Sequence, residues 1–498
     1  DTEYDLSSYD ITASGFEVGQ ASQTGSITIG ALTLGPDQTL TVENGGTGTI
    51  TVAGAYSGGE LSLDSGSGGI NLNGNVTTNG GAATFADDVI LAGGGGRFIT
   101  TTGGDVDFQG DIDGGEALTV NAGAGGVTLG NVGATFLVNG LSVTGSTIDL
   151  GGDITTVGPV TLSGAKTLTT SVTIDSSGGN GAIDLSTGST NDTDSEDLVL
   201  TAGSGNVTLG NVSVNNLSVT TTGTATAGAV TNSGDIAIAA GLINANGALS
   251  GTNVGLSASA GGIALPQVTA GGTLTVQAAG NIVDNGTLDI TDEASLITST
   301  GDITLDDASS TFGSLILTAD NASVVEDDST ELAGATVTGD LSITSEGAIT
   351  DTGTLTVGGT ASFNAAGGTA DVTLDDGDST FGTVALNAAD ALVTENDGTN
   401  LGASNVGGAL TVNSGGAITD SGTLSVTGLA DLNATGDITL DQAGSSFGSL
   451  SISGTSASIA ENGSMTVADA DVGGGDLALS STGSIDATGT VVAGSLSS

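Results

Sequence analysis

The chain of 498 residues has no cysteine, no histidine, no tryptophan, three prolines and only two basic side chains, Arg97 and Lys166, against 56 acids. Each scarcity removes a class of chemistry. Without His or Cys there is no imidazole base, no thiolate nucleophile and no zinc site of the Cys/His kind. A Schiff-base or lysyl-base enzyme would have to rest on Lys166 alone. A formal net charge of -54 argues against nucleic acid as a partner, because phosphate neutralisation needs Lys and Arg in number. Aromatics at 2% leave no platform for stacking single-stranded bases either. The lack of cysteine means no disulfides, which is compatible with an extracellular bacterial protein. No apolar run is long enough for a membrane-spanning helix, and the opening DTEYDLSSYD has neither the basic nor the apolar region of a secretion signal.

What the chain does have is 88 glycines and 37% hydrophobic residues, with a mean hydropathy of +0.24. That is too apolar for a disordered acidic tail. A chain of this length ordinarily suggests three domains, but internal repetition points to one long element instead. Ile282, Ile349, Ile418 and Ile485 hold the same place in restated strings, at spacings of 67, 69 and 67 residues. In GDITLDDASSTFGSL, ADVTLDDGDSTFGTV and GDITLDQAGSSFGSL, a second marker places Phe312, Phe381 and Phe447 at spacings of 69 and 66. The first half repeats more loosely, through Ile70, Val127, Val207 and Ile263.

Within each unit, LTV, ITL, LSI and INL alternate aliphatic with hydroxyl residues, which puts the aliphatics on one face of a short strand. Clusters such as GSGG and DSSGG supply the turns between them, and no breaker-free stretch of helical periodicity is present. Strands this short, a long repeat period and few aromatics favour a solenoid over a sandwich or barrel. Leucine-rich repeats share the period, but their recurring Asn/Cys position and helical leg are missing. The expectation is therefore an all-β, right-handed parallel β-helix of roughly 20–23 residues per coil. Taking about 21 residues per coil gives roughly 23 coils and a rod on the order of 110 Å at the ordinary inter-strand rise. Residues 1–20 read as a cap or inter-subunit docking segment, 21–270 as looser coils of about 19–20 residues, and 271–498 as 66–69-residue repeats of about three coils each.

The string ITLDxxxxxFGxL, followed by a segment of the form LSIT-GGAIT-SGTL-V-GTASF, resembles the repeats of filamentous haemagglutinin-like proteins. These are large bacterial surface proteins built as right-handed parallel β-helices. The resemblance is carried by residues 303–315, 341–363, 372–384, 410–432 and 438–450. It implies an extracellular, surface-attached or secreted chain in the class of adhesins.

The acidic turn before each marker Phe is the leading candidate for chemistry. Asp306 and Asp307, then Asp375, Asp376 and Asp378, then Asp441 recur in three successive repeats. Calcium needs several such oxygens around one ion, so these acids are candidate calcium ligands, spaced about 14 Å along the coil axis if a repeat is three coils. Solvated acidic turns are the alternative, and no other cofactor is implied. A polysaccharide-degrading enzyme could use paired carboxylates, but the gripping aromatics and basic residues are lacking, and no catalytic residue is assigned. Phe312, Phe381 and Phe447, with Ile282, Ile349, Ile418 and Ile485, read as a core stack. Thr-x-Thr strings resemble ice-binding solenoids, but no regular ladder over consecutive coils is evident. Nine N-glycosylation triplets, among them Asn216, Asn321 and Asn433, fit an Asn-, Ser- and Thr-rich chain.

An open solenoid end exposes unpaired backbone groups and needs a cap or a partner. The C-terminal VVAGSLSS stays repeat-like, so the expectation is either continuation in a longer chain or head-to-tail self-association, which gives open fibres. Tyr4, Leu6, Tyr9, Ile11 and Phe16 are the candidate subunit-docking residues. The reading that follows is a structural component of an extracellular bacterial fibre or adhesin stalk, not an enzyme. Surface glycans are candidate partners, and the alternative is a carbohydrate- or calcium-binding surface module.

Overall fold

The structure, a computed structural model, describes residues 13–498. The protein is all-β, about 57% strand, with two single-turn 3-10 segments among the described residues, at Ser177–Gly179 and Ala366–Gly368. Its coils stack in parallel as a β-solenoid. Among the described residues, no helix is long and apolar enough to cross a membrane. Four of the candidate docking residues, Tyr4, Leu6, Tyr9 and Ile11, lie outside the described residues. Phe16 is half-buried in the strand Gly15–Gln20, paired with Leu40.

The strands follow from the alternation. Ile27–Ile29, Ile50–Val52 and Ile70–Leu72 each bury their first and third residues and leave the middle one half-exposed. Period two on one face is what a pleated backbone with a single buried side produces. The chain divides into two compact units, Asp1–Ser259 and Ala260–Ser498.

In the N-terminal unit three aliphatic columns meet along the coil axis. One runs Ile27, Ile50, Ile70, Val89, Ile112, Val132 and Ile154. Another runs Leu40, Leu61, Ala83, Val106, Val127 and Ile148, and the third begins Leu32, Tyr56, Val76, Ile99 and Val120. Each such side chain taken out of water contributes about 1.5–3 kcal/mol, and the register places like on like. Phe85 and Phe108, partners in consecutive coils, stack at 4.9 Å between ring centroids. Where corners of adjacent coils approach, only glycine fits: a Cβ on Gly74 would run into the Gly54 carbonyl one coil below.

Both basic residues are buried in this unit. The Lys166 side chain occupies the second column between Ile148 and Thr190. Its ammonium donates to the carbonyls of Gly164 at 2.9 Å and Thr187 at 2.7 Å. Burial pushes its pKa down to about 8, partly offset by Asp184. The Arg97 guanidinium donates to three carbonyls, of Asn73, Gly94 and Gly95, closing a loop in which Gly93, Gly94 and Gly95 all have positive φ.

In the C-terminal unit the first face carries Ile263, Ile282, Ile303, Ala322, Leu341 and Ala361. Ile349 is not on it. It pairs with Thr330, on the second face, where Phe312, Ile290 and Ala270 lie below. Ile418 pairs with Thr399 on the third face, above Phe381, Val357, Val337 and Ala319. Ile485 pairs with Met465 above Phe447, Val426, Val406 and Ala388, back on the first face. The repeat is thus three coils and one further face, not three coils. The expected core stack is corrected accordingly. Ile282, Ile349 and Ile418 are fully buried and Phe312, Phe381 and Phe447 nearly so, but each marker residue turns one face relative to its predecessor and none stacks on the next. Ile485 is 37% exposed.

One corner of each unit carries an Asx ladder from coil to coil. Asp302 Oδ1 accepts the Asn321 N–H at 3.1 Å, Asn321 Oδ1 the Asp340 N–H at 2.9 Å, and Asp340 Oδ1 the Thr360 N–H at 2.8 Å. In the N-terminal unit Asn131 Oδ1 takes the Asp153 N–H and Asp153 Oδ1 the Thr173 N–H. Interleaving Asn between Asp keeps like charges from stacking directly. Asn321 and Asn216, both N-glycosylation triplets, use their side chains in these ladders. A hydroxyl rank also exists where none was evident in sequence: Thr33, Ser57, Thr77 and Thr100 are register partners in consecutive coils, before Asn121 ends it. The rank is hidden in sequence because its members are 20–24 residues apart and the intervals are unequal.

Candidate functional site

The corner beside each marker Phe is built the same way three times, and the acids named from sequence are parts of it. Asp284, two residues after Ile282, accepts the N–H groups of Asp306 at 2.9 Å and Asp307 at 3.0 Å with its two carboxylate oxygens. Asp420 does the same for Asp441 and Gln442, and Asp351 accepts the Asp375 N–H at 2.8 Å. A carboxylate one coil below, buried in Asp284 and Asp351 and half-buried in Asp420, therefore cradles the acidic turn. Burial raises the pKa of Asp351 and of Asp420, against the lowering effect of those N–H groups.

The turn acids use their oxygens locally. Asp307 Oδ1 accepts the Ser309 N–H and Oδ2 the Thr287 hydroxyl. Asp376 Oδ1 accepts the Asp378 N–H and Oδ2 faces the Thr354 hydroxyl at 3.5 Å. Asp441 faces the Gln442 amide. Asp306, Asp307, Asp375, Asp376, Asp378 and Asp441 are thus brought together within each turn but not between repeats, since successive turns lie on different faces. Among the described residues no group of three or more acidic side chains converges as a metal site requires.

Next in the chain comes a fully buried serine, Ser310, Ser379 or Ser445. Its hydroxyl oxygen accepts the N–H of Leu288, Leu355 or Leu424 from the coil below, and its carbonyl accepts the N–H of Asp327, Asn396 or Asn462 from the coil above. The serine pins three coils at one corner.

Two residues further on, each marker Phe donates its backbone N–H to a buried glutamate: Phe312 to Glu326 at 2.9 Å, Phe381 to Glu395 at 2.7 Å and Phe447 to Glu461 at 2.9 Å. Glu326, Glu395 and Glu461 are 1, 2 and 4% exposed. They stand where the ladder is irregular, beside register shifts at Leu315/Ile316 and Leu450/Ser451, so a side-chain acceptor replaces the strand above. The second oxygen of Glu326 accepts the Thr330 hydroxyl at 2.7 Å, whereas Oε2 of Glu395 and of Glu461 has no partner. Burial raises all three pKa values, to about 7 for Glu326 and about 7 for Glu395, with the Phe N–H acting the other way in each case. Glu395 also borders a shallow groove of about 350 Å³ lined by Thr394, Asn413, Asn433 and Thr435.

These glutamates were missed in sequence because acids in so acidic a chain read as surface. The signal was available: ASVVE, ALVTE and ASIAE each end 14 residues after a marker Phe.

Residues 251–319, 319–387 and 388–453 match a family described as repeats of unknown function (DUF5649). Each matched segment contains one marker Phe near its end. No curated protein matches the chain and no solved structure does.

Proposed function

We propose that the chain is a structural segment of an extracellular bacterial surface fibre or adhesin stalk, without catalytic activity of its own. The observation that carries this reading is the repeat of three coils and one further face. A one-sided recognition stripe needs equivalent side chains on one side, and here each equivalent turns away from the last. Such a repeat suits a spacer, whose work is length and stiffness. Because Arg97 and Lys166 are buried, the charged side chains at the described surface are acidic, and a net charge of -54 keeps neighbouring segments apart in solution. The resemblance to filamentous haemagglutinin-like repeats supports the same assignment, with head-to-tail self-association or chain continuation supplying the length. Electron microscopy of native material tests it. Continuous filaments one solenoid wide are expected, and isolated particles that bind and cleave a glycan would overturn it.

A second reading, a surface module for neutral glycans, is supported by one patch of the N-terminal unit. Phe98 is 50% exposed and continues through its register partners into Thr119, Ser142 and Thr161. An exposed ring beside uncharged hydroxyls is chemistry that fits a sugar face. Binding on a panel of neutral polysaccharides, lost in Phe98→Ala, would favour this reading over the first.

A further inference from the structure

The C-terminal unit holds no lysine, arginine or histidine, since Arg97 and Lys166, the only basic side chains of the chain, both belong to the N-terminal unit. Glu326, Glu395 and Glu461 are therefore buried where no cation of their own unit can pair with them. An ionised carboxylate in that position bears its desolvation cost against one or two hydrogen bonds only.

The surroundings add no relief. Glu326 is flanked in its own loop by Asp328 and Glu395 by Asp397, both exposed, and these negative charges oppose ionisation. The strands packed against Glu326 present Phe312, Thr330 and Ser345, the register partner of Glu326, while Glu331 on the strand Thr330–Val337 and Glu346, which follows Ser345, are exposed. Those packed against Glu395 present Phe381, Thr399 and Ser414. Against Glu461 they present Phe447, Met465 and Ser481, while Asp469, Asp471 and Asp476 on the neighbouring strands are exposed.

We infer that Glu326, Glu395 and Glu461 are proton locks, neutral carboxyls that hold the coil junction of each repeat closed in mildly acidic surroundings and loosen it when they ionise. Each carboxyl joins the coil of its marker Phe to the coil it ends, so the group that titrates is also the clip. The groove bordered by Glu395 brings solvent to the edge of that corner. The sign follows from the direction of the shift. A carboxyl with a raised folded-state pKa keeps its proton while the unfolded chain loses its own, so stability is full below the unfolded value near 4.5 and falls as pH rises toward about 7. The response is repeated once per repeat and is local to the three Phe corners.

The test uses the full 498-residue chain. Hydrogen exchange of the peptides containing Phe312, Phe381 and Phe447 is followed from pH 5 to pH 8, corrected for intrinsic exchange. Strands of the N-terminal unit in the same sample serve as controls. Opening is expected to increase at least about tenfold at the Phe312 and Phe381 corners relative to the controls, a change that corresponds to one pKa unit of linkage, and to increase in the same direction at the Phe447 corner. In Glu326→Gln/Glu395→Gln/Glu461→Gln, which keeps an acceptor for each Phe N–H but cannot ionise, that increase is expected to vanish. An equal rise in wild type and variant, or none in the wild type, would overturn the inference. If the variant does not fold, carbon NMR of the wild-type glutamate side-chain carboxyls decides: Glu326, Glu395 and Glu461 titrating above the other glutamates support the locks, and glutamates that all titrate together near 4.5 remove them.

Discussion

The Lys166 ammonium donates to the carbonyl of Thr187, 21 residues further along the chain, at 2.7 Å from within an aliphatic column. The only lysine of the chain thus stands where its neighbours above and below are Ile148 and Thr190. Its ammonium donates to two carbonyls, with Asp184 near enough to act on its charge. The expected outcome is that amine-reactive labelling of the native chain leaves Lys166 unmodified and that unfolding exposes it. Peptide mass spectrometry reads this directly, and rapid native labelling would contradict the buried position.

The same residue gives an alkaline signature. Its folded-state pKa is depressed to about 8 from 10.5, so between those values the unfolded chain binds more protons and stability rises with pH. Relative to Lys166→Met, the wild type should gain stability from pH 8 to pH 10, by at most about 3 kcal/mol. Paired denaturant titrations at the two pH values check it, and a flat difference would refute it.

Removing the carboxylate that cradles an acidic turn should act locally. Asp284→Ala leaves the Asp306 and Asp307 N–H groups without their acceptor, and the expected cost is about 1–3 kcal/mol. Faster hydrogen exchange confined to the 303–312 region would accompany it.

Because Asp307, Asp376 and Asp441 already accept hydrogen bonds within their own turns and no group of three acids converges among the described residues, millimolar calcium and a chelator are expected to give the same melting temperature. A rise of several degrees with calcium would show that Asp306, Asp307, Asp375, Asp376, Asp378 and Asp441 hold a cation after all.

The stacked pair in the N-terminal unit supplies a packing test. Phe108→Ala removes a nearly fully buried ring stacked on Phe85, and the expected loss is about 3–5 kcal/mol. Thermal unfolding measures it, and a loss under about 1 kcal/mol would mean the coil closes around the gap.

Much of this architecture was legible in the sequence. Alternation in ITL and INL gave the strands, and the 66–69-residue spacing of Phe312, Phe381 and Phe447 gave the repeat. What spacing does not carry is the number of faces per coil, so the turn of Ile349 and Ile418 away from Ile282 became visible only through register. The buried glutamates and Lys166 escaped for a related reason. In a parallel solenoid a side chain's surroundings come from residues about 20 positions before and after it, and a window read along the chain sees only its turn.

A repeat that overshoots three coils by one face has a clocking consequence. Within the C-terminal unit, gaining or losing one repeat would rotate everything beyond it by a third of a turn about the coil axis. Gaining or losing three would restore the original bearing. The number of repeats therefore sets direction as well as length.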